Sequence, residues 1–512
     1  MGPERKGDRR MRPIRTTALN LALALPFALA LTIAPTAGPA QAAPPDTITI
    51  GMVLEPPNLD PTSGAAAAID EVVYANLFEG LTRFAPDGTV VPGLAASWEA
   101  NEAATVYTFH LREGVRFHDG TALEADDVVF TLDRARGPNS TNAQKALFEG
   151  IESVAAPDPL TVTVTLARPD GAFPFKMAWG DAVIVAPETA GTEASAPVGT
   201  GPFRFERWVH GDRVELLRNP DYWGPAPALA RATFKFIPDP NAAFAAMMAG
   251  DVDAFPNFPA PETLPQFEAD PRFRVIVGTT EGETILALNN RRPPLDNIRV
   301  REAIAHAVNR QDIIDGAMFG YGTPIGTHFA PHHPDYVDLT DLSRHDPKKA
   351  RALLAEAGQT DLTLRLALPP PSYARRGGEI VASELRAVGI ETEIVNLEWA
   401  QWLDQVFRRH DFDLTIVSHT EPMDIGIYAR PDYYFGYDRP DFPALMDRLA
   451  GATDPAERSE ILKAAQRMIA EDYVNVYLFQ LAKTGVANAK LEGLWENAPT
   501  QANDLTAVHW TD

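Results

Sequence analysis

The sequence contains no cysteine in 512 residues. Disulfides, thiolate zinc sites, cysteine nucleophiles and iron–sulfur clusters are therefore excluded together. The same absence excludes a lipid anchor on an N-terminal cysteine, so the sequence does not predict a lipoprotein.

Basic residues are also in short supply. Lys and Arg total 45 against 69 Asp and Glu, which gives a formal net charge of -24 and a pI near 4.9. A negatively charged protein repels a phosphate backbone, so nucleic acid is not expected as a partner. Hydrophobic residues make up 45% of the chain, as in globular proteins, and the length suggests roughly three structural units.

Long apolar runs are confined to the N-terminus. Basic residues precede an apolar run over 19–33, and Ala40-Gln41-Ala42 follows it as a cleavage site of small residues. The run is interrupted by Pro26 and is too short for a membrane span, which needs about 20 residues. The pattern predicts a cleaved signal peptide over 1–42 and an exported, periplasmic mature chain. Arg9-Arg10 leaves both Sec and twin-arginine export open.

Common catalytic motifs are absent as well. The chain has no HExxH, no P-loop and no nucleophile elbow, and Gly199-Thr200-Gly201 is too short for a phosphate loop. Carboxylate pairs carry little information in a chain with 69 acidic residues. We therefore predict that the protein is not an enzyme, with a secreted hydrolase as the remote alternative.

Strand and helix patterns alternate along the chain. Apolar and polar residues alternate as in strands over 47–53, 106–111 and 161–166. Asp-Pro pairs at 239, 346 and 454 precede helical patterns, because Asp caps free N–H groups and Pro fits the first turn. An apolar stripe predicts one amphipathic helix over 299–318.

The C-terminal third alternates helix and strand periods within a short span. The predicted elements are helices over 379–388 and 400–407 and strands over 390–395 and 412–417. This order predicts an α/β unit with a partly parallel sheet. Ligands of such sheets bind beyond the carboxyl ends of the strands, which here is the segment 418–424.

Several sequence blocks resemble those of a known family. The blocks are 74–81 (YANLFEGL), 92–98 (PGLAASW), 107–120 (YTFHLREGVRFHDG), 199–203 (GTGPF), 219–223 (NPDYW) and 300–310 (VREAIAHAVNR). In this order they resemble ABC transporter solute-binding protein family 5, the periplasmic dipeptide-, oligopeptide- and nickel-binding proteins. The block over 107–120 is expected to be structural, with Gly114 and Gly120 in turns and Phe109 and Phe117 buried.

The resemblance implies an α/β, two-lobed periplasmic binding protein-like fold (type II, cluster C) with an extra α/β domain inserted in the first lobe. By analogy lobe I takes 43–89, 198–283 and 482–512, the inserted domain 90–197, and lobe II 284–481. The implied function is capture of a peptide or peptide-like small polar solute by hinge closure.

The implied partners are that solute and an inner-membrane ABC permease with cytoplasmic ATPases. The receptor is expected to be a monomer that uses no cofactor and binds no nucleic acid. A receptor of the same fold for a nickel chelate, an opine or a sugar is the alternative.

The resemblance also directs attention to acidic residues after the strand over 412–417. In dipeptide and oligopeptide receptors an aspartate here takes the ligand amine, and either Glu421 or Asp424 matches it, with Asp424 preferred. An ammonium needs such a carboxylate, and a terminal carboxylate needs an arginine fork. Arg375 and Arg376 lie near the region where the family places that arginine.

Further candidates come from the residues around this segment. His419 is a candidate contact for a metal or for the ligand, and one of Tyr433 and Tyr434 is expected to line the cleft. Trp399 has core packing as its simpler explanation, and Asn58 suits a Pro-Pro-Asn turn as well as a ligand contact.

Histidines form one cluster in the sequence, His328-x3-His332-His333. Without cysteine a metal would need imidazoles and carboxylates, and no acidic pattern stands beside this cluster. We therefore predict a polar loop at 328–333 and no metal site.

Overall fold

A computed structural model describes residues 45–63, 66–359 and 361–511. The predicted signal peptide over 1–42 lies outside the described residues. Among the helices of the described part, none combines the length and apolar character that crossing a membrane requires.

The described residues form strands and helices in the following chain order. The strands are β1 (Thr47–Met52), β2 (Thr82–Phe84), β3 (Val90–Pro92), β4 (Ala95–Ala100), β5 (Val106–Leu111), β6 (Ile151–Asp158), β7 (Thr161–Leu166), β8 (Phe203–Val209), β9 (Arg213–Arg218), β10 (Arg231–Phe236), β11 (Ala254–Phe255), β12 (Phe273–Leu288), β13 (Thr323–Pro324), β14 (Leu362–Leu368), β15 (Ile390–Asn396), β16 (Leu414–His419), β17 (Asn475–Asn488), β18 (Leu491–Glu492) and β19 (His509–Trp510). The helices are α1 (Ala67–Val73), α2 (Ala125–Arg136), α3 (Phe173–Lys176), α4 (Pro240–Ala249), α5 (Leu264–Glu268), α6 (Ile298–Ala307), α7 (Arg310–Met318), α8 (Pro347–Glu356), α9 (Ser372–Ala387), α10 (Trp399–Trp402), α11 (Asp441–Gly451) and α12 (Pro455–Glu471).

One large mixed sheet organises the described chain. Its strand order is β15-β14-β16-β12-β17-β11-β1-β10-β9-β8, and β13 pairs with β17. β14 runs parallel to β15 and β16, as the pattern in the C-terminal third predicts, and β1 runs parallel to β10 and β11. The segment that follows β16 therefore lies at a carboxyl edge, where α/β sheets bind ligands.

Two long antiparallel strands, β12 and β17, connect the two halves of this sheet. Their pairing runs from Phe273 with Asn488 to Ala287 with Asn475, and the register shifts between Thr279 and Glu283. One end of the pair adjoins β11 and the other end adjoins β16. The predicted lobe boundaries at 283 and 481 fall on these strands, and they stay a prediction.

Separate hydrophobic clusters fill the two halves. One packs β1, β9, β10 and α1, and another packs α6 to α9 against β14 and β16. A further cluster on the opposite face of the second half contains Trp402, Tyr428 and Tyr434.

A second sheet, in the order β4-β5-β7-β6, falls inside the predicted inserted domain. It buries its own core together with α2, and this core includes Phe109 and Phe117, as expected for the signature block. Gly114 and Gly120 have φ of 77° and 94°, a region that glycine adopts without strain, so their predicted role in turns is confirmed.

The helix predictions are confirmed at the Asp-Pro pairs and wrong at one other place. Asp239, Asp346 and Asp454 each accept backbone N–H bonds at the start of a helix whose first residue is Pro. The single helix predicted over 299–318 is instead α6 and α7. Val308 is extended and the Asn309 side chain accepts from the Gln311 N–H, so a new helix starts there.

Candidate functional site

A cleft of about 260 Å³ lies between the two halves of the large sheet and the inserted domain. Helix α1 and the segment 498–501 line it from the first half, 143–144 and 179–181 from the inserted domain, and 420–422 from the second half. Four carboxylates line the cleft: Asp70, Asp181, Glu281 and Glu421. None of the described residues that line it is Lys, Arg or His. The cleft is therefore built to receive positive charge.

Asp70 projects from α1 into the region that Gly180 borders. Its Oδ1 atom is buried and has no hydrogen-bond partner among the described residues. A Cβ added at Gly180 would lie 2.5 Å from both carboxylate oxygens, so the carboxylate occupies space that only glycine leaves. Burial, and then the charges of Asp181 and Glu71, raise the pKa of Asp70 well above its ordinary value. A ligand cation here would satisfy a carboxylate that lacks a partner.

Asp181 is in a short 3-10 turn, Gly180–Ala182, beside Asp70. Its backbone carbonyl accepts a bond of 2.8 Å from the Asn142 amide, which fixes the turn. Burial raises the pKa of the Asp181 carboxyl to about 7. This carboxyl therefore changes charge near neutral pH.

The other two carboxylates come from the connecting strand β12 and from the loop after β16. Glu281 lies on β12 within the register shift, and its Oε1 is 2.7 Å from Nε2 of His332. Glu421 follows β16, and its Oε2 accepts a weak bond of 3.2 Å from the Thr420 N–H. The four carboxylates thus come from both halves, the inserted domain and the connecting strand.

A compact group of His328, His419 and Asp424 lies next to the cleft. Nε2 of His328 is 2.6 Å from Oδ1 of Asp424, and Nδ1 of His419 is 3.5 Å from Oδ2. Burial alone would raise the pKa of Asp424, but electrostatic interaction and hydrogen bonding with His328 and His419 hold it well below its ordinary value. Both carboxylate oxygens of Asp424 therefore already face imidazoles.

Glu283 borders the same group. It lies directly opposite His419 in the β12–β16 pairing, its side chain is buried, and its Oε2 has no hydrogen-bond partner among the described residues. Burial, followed by the charges of Glu281 and Asp424, raises the pKa of Glu283 well above its ordinary value.

Of the predicted amine-binding acids, the structure places Glu421 on the cleft and Asp424 beside it, against the histidines. His419 is buried and also contacts the Tyr434 hydroxyl. The loop predicted over 328–333 is present, but the His328 side chain is only 1% exposed and is not a solvated loop residue. His332 contacts Glu281 instead of joining His328.

The predicted arginines lie in the first turns of α9, which begins at Ser372 rather than near 379. Arg375 donates to the Leu397 carbonyl and to Glu398, and Arg376 lies over the Phe319 ring. Neither arginine lines the cleft. Their role as a carboxylate fork stays a prediction.

The remaining predicted contacts do not line the cleft. Tyr434 is 1% exposed, in the aromatic core, and Tyr433 packs against it with ring centroids 5.1 Å apart. Trp399 is 43% exposed, and Asn58 accepts from the Asp60 N–H as in the predicted turn. Their contact with a ligand stays a prediction.

Sequence reasoning did not single out Asp70, Asp181, Glu281 or Glu283. The pair Glu281 and Glu283 had a readable signal, because two acids so close together in a strand are unusual. Asp70 and Asp181 had none, since each is one acid among many until the fold brings it to the cleft.

A sheet crossed by two long connecting strands, with a polar cleft between its halves, defines a two-lobed solute-binding protein. The family model of bacterial extracellular solute-binding proteins, family 5, matches residues 89–437. The chain belongs to this family. Members of the family are binding proteins that work with ABC transporters, so the chain is a solute-binding receptor of an ABC importer.

Individual relatives and structures agree with this assignment. The chain is 30% identical over 496 residues to di/tripeptide-binding protein 4 of Pseudomonas aeruginosa, covering 86% of this chain and 90% of that protein. It is 31% identical over 346 residues to the dipeptide-binding protein of Escherichia coli, covering 61% and 64%. The structure of HbpA2 from Haemophilus parasuis matches with a TM-score of 0.85 at 25% identity, covering 91% of this chain and all of that one.

Proposed function

We propose that this receptor captures a peptide or peptide-like solute that carries a free ammonium group, and that Glu421 binds that group. The acidic lining of the cleft carries the proposal, since four carboxylates and no Lys, Arg or His line it among the described residues, which favours a cation. The names of the di/tripeptide- and dipeptide-binding relatives support the peptide class.

Glu421 is the better placed of the two acids that the sequence left open. It lines the cleft, and among the described residues its carboxylate accepts one weak hydrogen bond, from the Thr420 N–H. Asp424 faces two imidazoles, so an ammonium would have to displace them. A charge-assisted hydrogen bond contributes about 1.5–3 kcal/mol, which corresponds to roughly tenfold to a hundredfold in affinity.

The position of the acids also explains how a ligand closes the receptor. Asp70, Asp181 and Glu421 come from different parts of the fold and share one cleft. Where these carboxyls are ionised, their like charges oppose approach of the two halves in the absence of a ligand. A cationic solute removes this repulsion and contacts both halves, so it stabilises the closed form selectively. The closed, monomeric receptor then docks in the periplasm on an inner-membrane permease driven by cytoplasmic ATPases.

A thermal-shift screen of the mature chain tests the substrate class. Dipeptides, tripeptides, their N-acetylated forms, opines, sugars and nickel chelates are compared at pH 8. A ligand at about 100 times its dissociation constant adds roughly 2.7 kcal/mol of stability, so true ligands raise the melting temperature. We expect free-amine peptides to give the shift and acetylated ones to lose it. A shift with sugars or chelates and none with peptides would overturn the proposal.

Glu421→Gln then tests the residue. Isothermal titration calorimetry with the best peptide should show a dissociation constant that is tenfold to a hundredfold larger than that of wild type. The matched control is Glu393→Gln, which changes an exposed glutamate on β15. If Glu421→Gln leaves affinity unchanged while Asp424→Ala abolishes it, the amine-binding role belongs to Asp424.

A further inference from the structure

The group of His328, His419 and Asp424 presents three metal-ligating atoms at one point. Among the described residues, these three atoms all lie within 4.8 Å of one another. Both imidazoles are buried, with 1% and 8% of their side chains exposed. We propose that the three residues bind one divalent first-row transition metal ion, with Glu283 or a water molecule completing its coordination.

The histidines are held in the orientation that metal ligands require. Nδ1 of His328 is 3.3 Å from the Tyr428 hydroxyl, which leaves Nε2 facing Asp424. Nε2 of His419 is 3.1 Å from the Tyr434 hydroxyl, which leaves Nδ1 facing Asp424. Metal-binding histidines are characteristically fixed through their second ring nitrogen in this manner. Tyr428 is itself held by the Asn475 amide at 3.1 Å.

One distance within the group, 3.5 Å, suits two ligands of a bridging ion, whereas the other, 2.6 Å, is that of a short hydrogen bond. The 3.5 Å between Nδ1 of His419 and Oδ2 of Asp424 is too long for a good hydrogen bond. A tetrahedral zinc ion with bonds of about 2.0–2.2 Å separates neighbouring ligand atoms by about 3.3 Å. The 2.6 Å contact between His328 and Asp424 would open modestly on binding.

Space and charge are available beside two of the ligands, His328 and Asp424. A cavity of about 10 Å³ is lined by Asp424, His328, Glu283 and Glu281, which is near the size that holds one water molecule. Glu283 faces this cavity with a buried oxygen that has no hydrogen-bond partner among the described residues. Two carboxylates would balance the charge of a divalent ion. Glu281 lines both this cavity and the large cleft, which gives the ion a route of entry.

The donor set selects the class of metal. Two imidazole nitrogens and one carboxylate suit zinc, cobalt, nickel, copper or iron, whereas magnesium and calcium prefer oxygen ligands alone. His419 was a candidate metal contact in the sequence, but the full ligand set was not predictable, because His328 and His419 are 91 positions apart and the nearby His332 and His333 have other partners. The site is separate from the ammonium-binding position proposed at Glu421.

Zinc titration of the mature chain tests the proposal directly. The protein carries no histidine tag, is stripped with a chelator, and is titrated without any peptide, so the result is independent of the proposed solute. We expect one equivalent of Zn²⁺ by calorimetry and elemental analysis, a higher melting temperature, and the visible absorption of four-coordinate cobalt when Co²⁺ replaces zinc. No binding, or cobalt with a six-coordinate spectrum, would overturn the proposal.

Variants assign the binding to these residues. Asp424→Asn should weaken zinc affinity at least a hundredfold, and His110→Gln, which changes an exposed histidine on β5, should leave it unchanged. Tyr434→Phe keeps all three ligands but removes the hydroxyl beside His419, and should weaken affinity about tenfold to a hundredfold even if Asp424→Asn fails to fold. Zinc affinity equal to wild type in both Asp424→Asn and Tyr434→Phe would refute the site.

Discussion

The protonation of Asp181 makes the stability of the empty receptor depend on pH. Burial raises the pKa of this carboxyl to about 7 in the folded protein, whereas an unfolded aspartate has a pKa of about 3.9. Between these values the folded state binds more protons than the unfolded state. The stabilising contribution of protonated Asp181 is therefore present at acidic pH and is lost as the pH rises through about 7.

The magnitude follows from the two pKa values. From pH 5 to pH 8 the folded carboxyl passes from almost fully protonated to mostly ionised, while the unfolded one stays ionised. The free energy of unfolding should fall by about 2–3 kcal/mol from this group. Glu79 and Glu193 act in the same direction, because burial also raises their pKa values to about 7. Asp181→Asn removes only the pH dependence of stability that comes from the Asp181 carboxyl in the cleft.

Urea unfolding at pH 5 and pH 8 measures this contribution. The quantity compared is the shift in midpoint between Asp181→Asn and wild type, which does not need a two-state extrapolation in a protein with several cores. The urea midpoint of Asp181→Asn minus that of wild type should be larger at pH 8 than at pH 5. The control is Asp251→Asn, an exposed aspartate after α4. A variant whose midpoint runs parallel to wild type at both pH values would refute the reasoning.

Three further substitutions probe named contacts. Arg310→Lys should lower the free energy of unfolding in urea by about 3 kcal/mol, because a lysine cannot replace the four buried hydrogen bonds that the guanidinium donates within the second half. An unchanged midpoint would contradict this. Glu79→Ala should destabilise by about 3–5 kcal/mol, since it leaves one buried and two partly buried donors without an acceptor. Glu79→Gln should cost less, and equal midpoints for the Ala and Gln variants would argue against this reasoning. Gly180→Ala should displace the Asp70 carboxylate and weaken binding of a cationic peptide in calorimetry, and unchanged affinity would show that Asp70 does not contact the ligand.

Local signals predicted the parts of the fold that depend on local physics. Asp239 and Asp454 mark helix starts because the capping bond and the proline lie within four residues of each other. Gly114 and Gly120 mark turns because their positive φ is a property of single residues. These features do not depend on distant contacts, so the sequence carries them directly.

The helix predicted over 299–318 failed because apolar periodicity continues across a break. Val308 keeps the stripe apolar, yet its backbone is extended and Asn309 caps a new helix. The periodicity of one face cannot distinguish one long helix from two that pack on the same core. Asn309 was the available signal, since it is a favourable N-cap residue in the middle of the predicted helix.

The acids of the cleft could not be predicted because they meet only in the tertiary structure. Asp70, Asp181, Glu281 and Glu421 are separated by at least 100 positions each, and the chain contains 69 acidic residues. The resemblance directed attention to the segment after β16, which does reach the cleft through Glu421. The resemblance gave no information on the opposite wall of the cleft. There Asp70 lies beside Gly180, and its position depends on the packing of α1 against the inserted domain.

Strand β12 is the place where charge and movement coincide. Its register against β17 shifts between Thr279 and Glu283, and a Cβ at Gly282 would lie 2.7 Å from the Leu481 side chain, so the strands approach closely where regular pairing is interrupted. Glu281 and Glu283 flank this glycine, one on the cleft and the other beside His419. A pair of strands with interrupted pairing resists bending less than a continuous ladder does. A cation bound near these carboxylates therefore acts where a small change in strand geometry changes the separation of the two halves. A ligand or ion placed elsewhere in either half would have to transmit the same change through packed cores, which do not deform continuously.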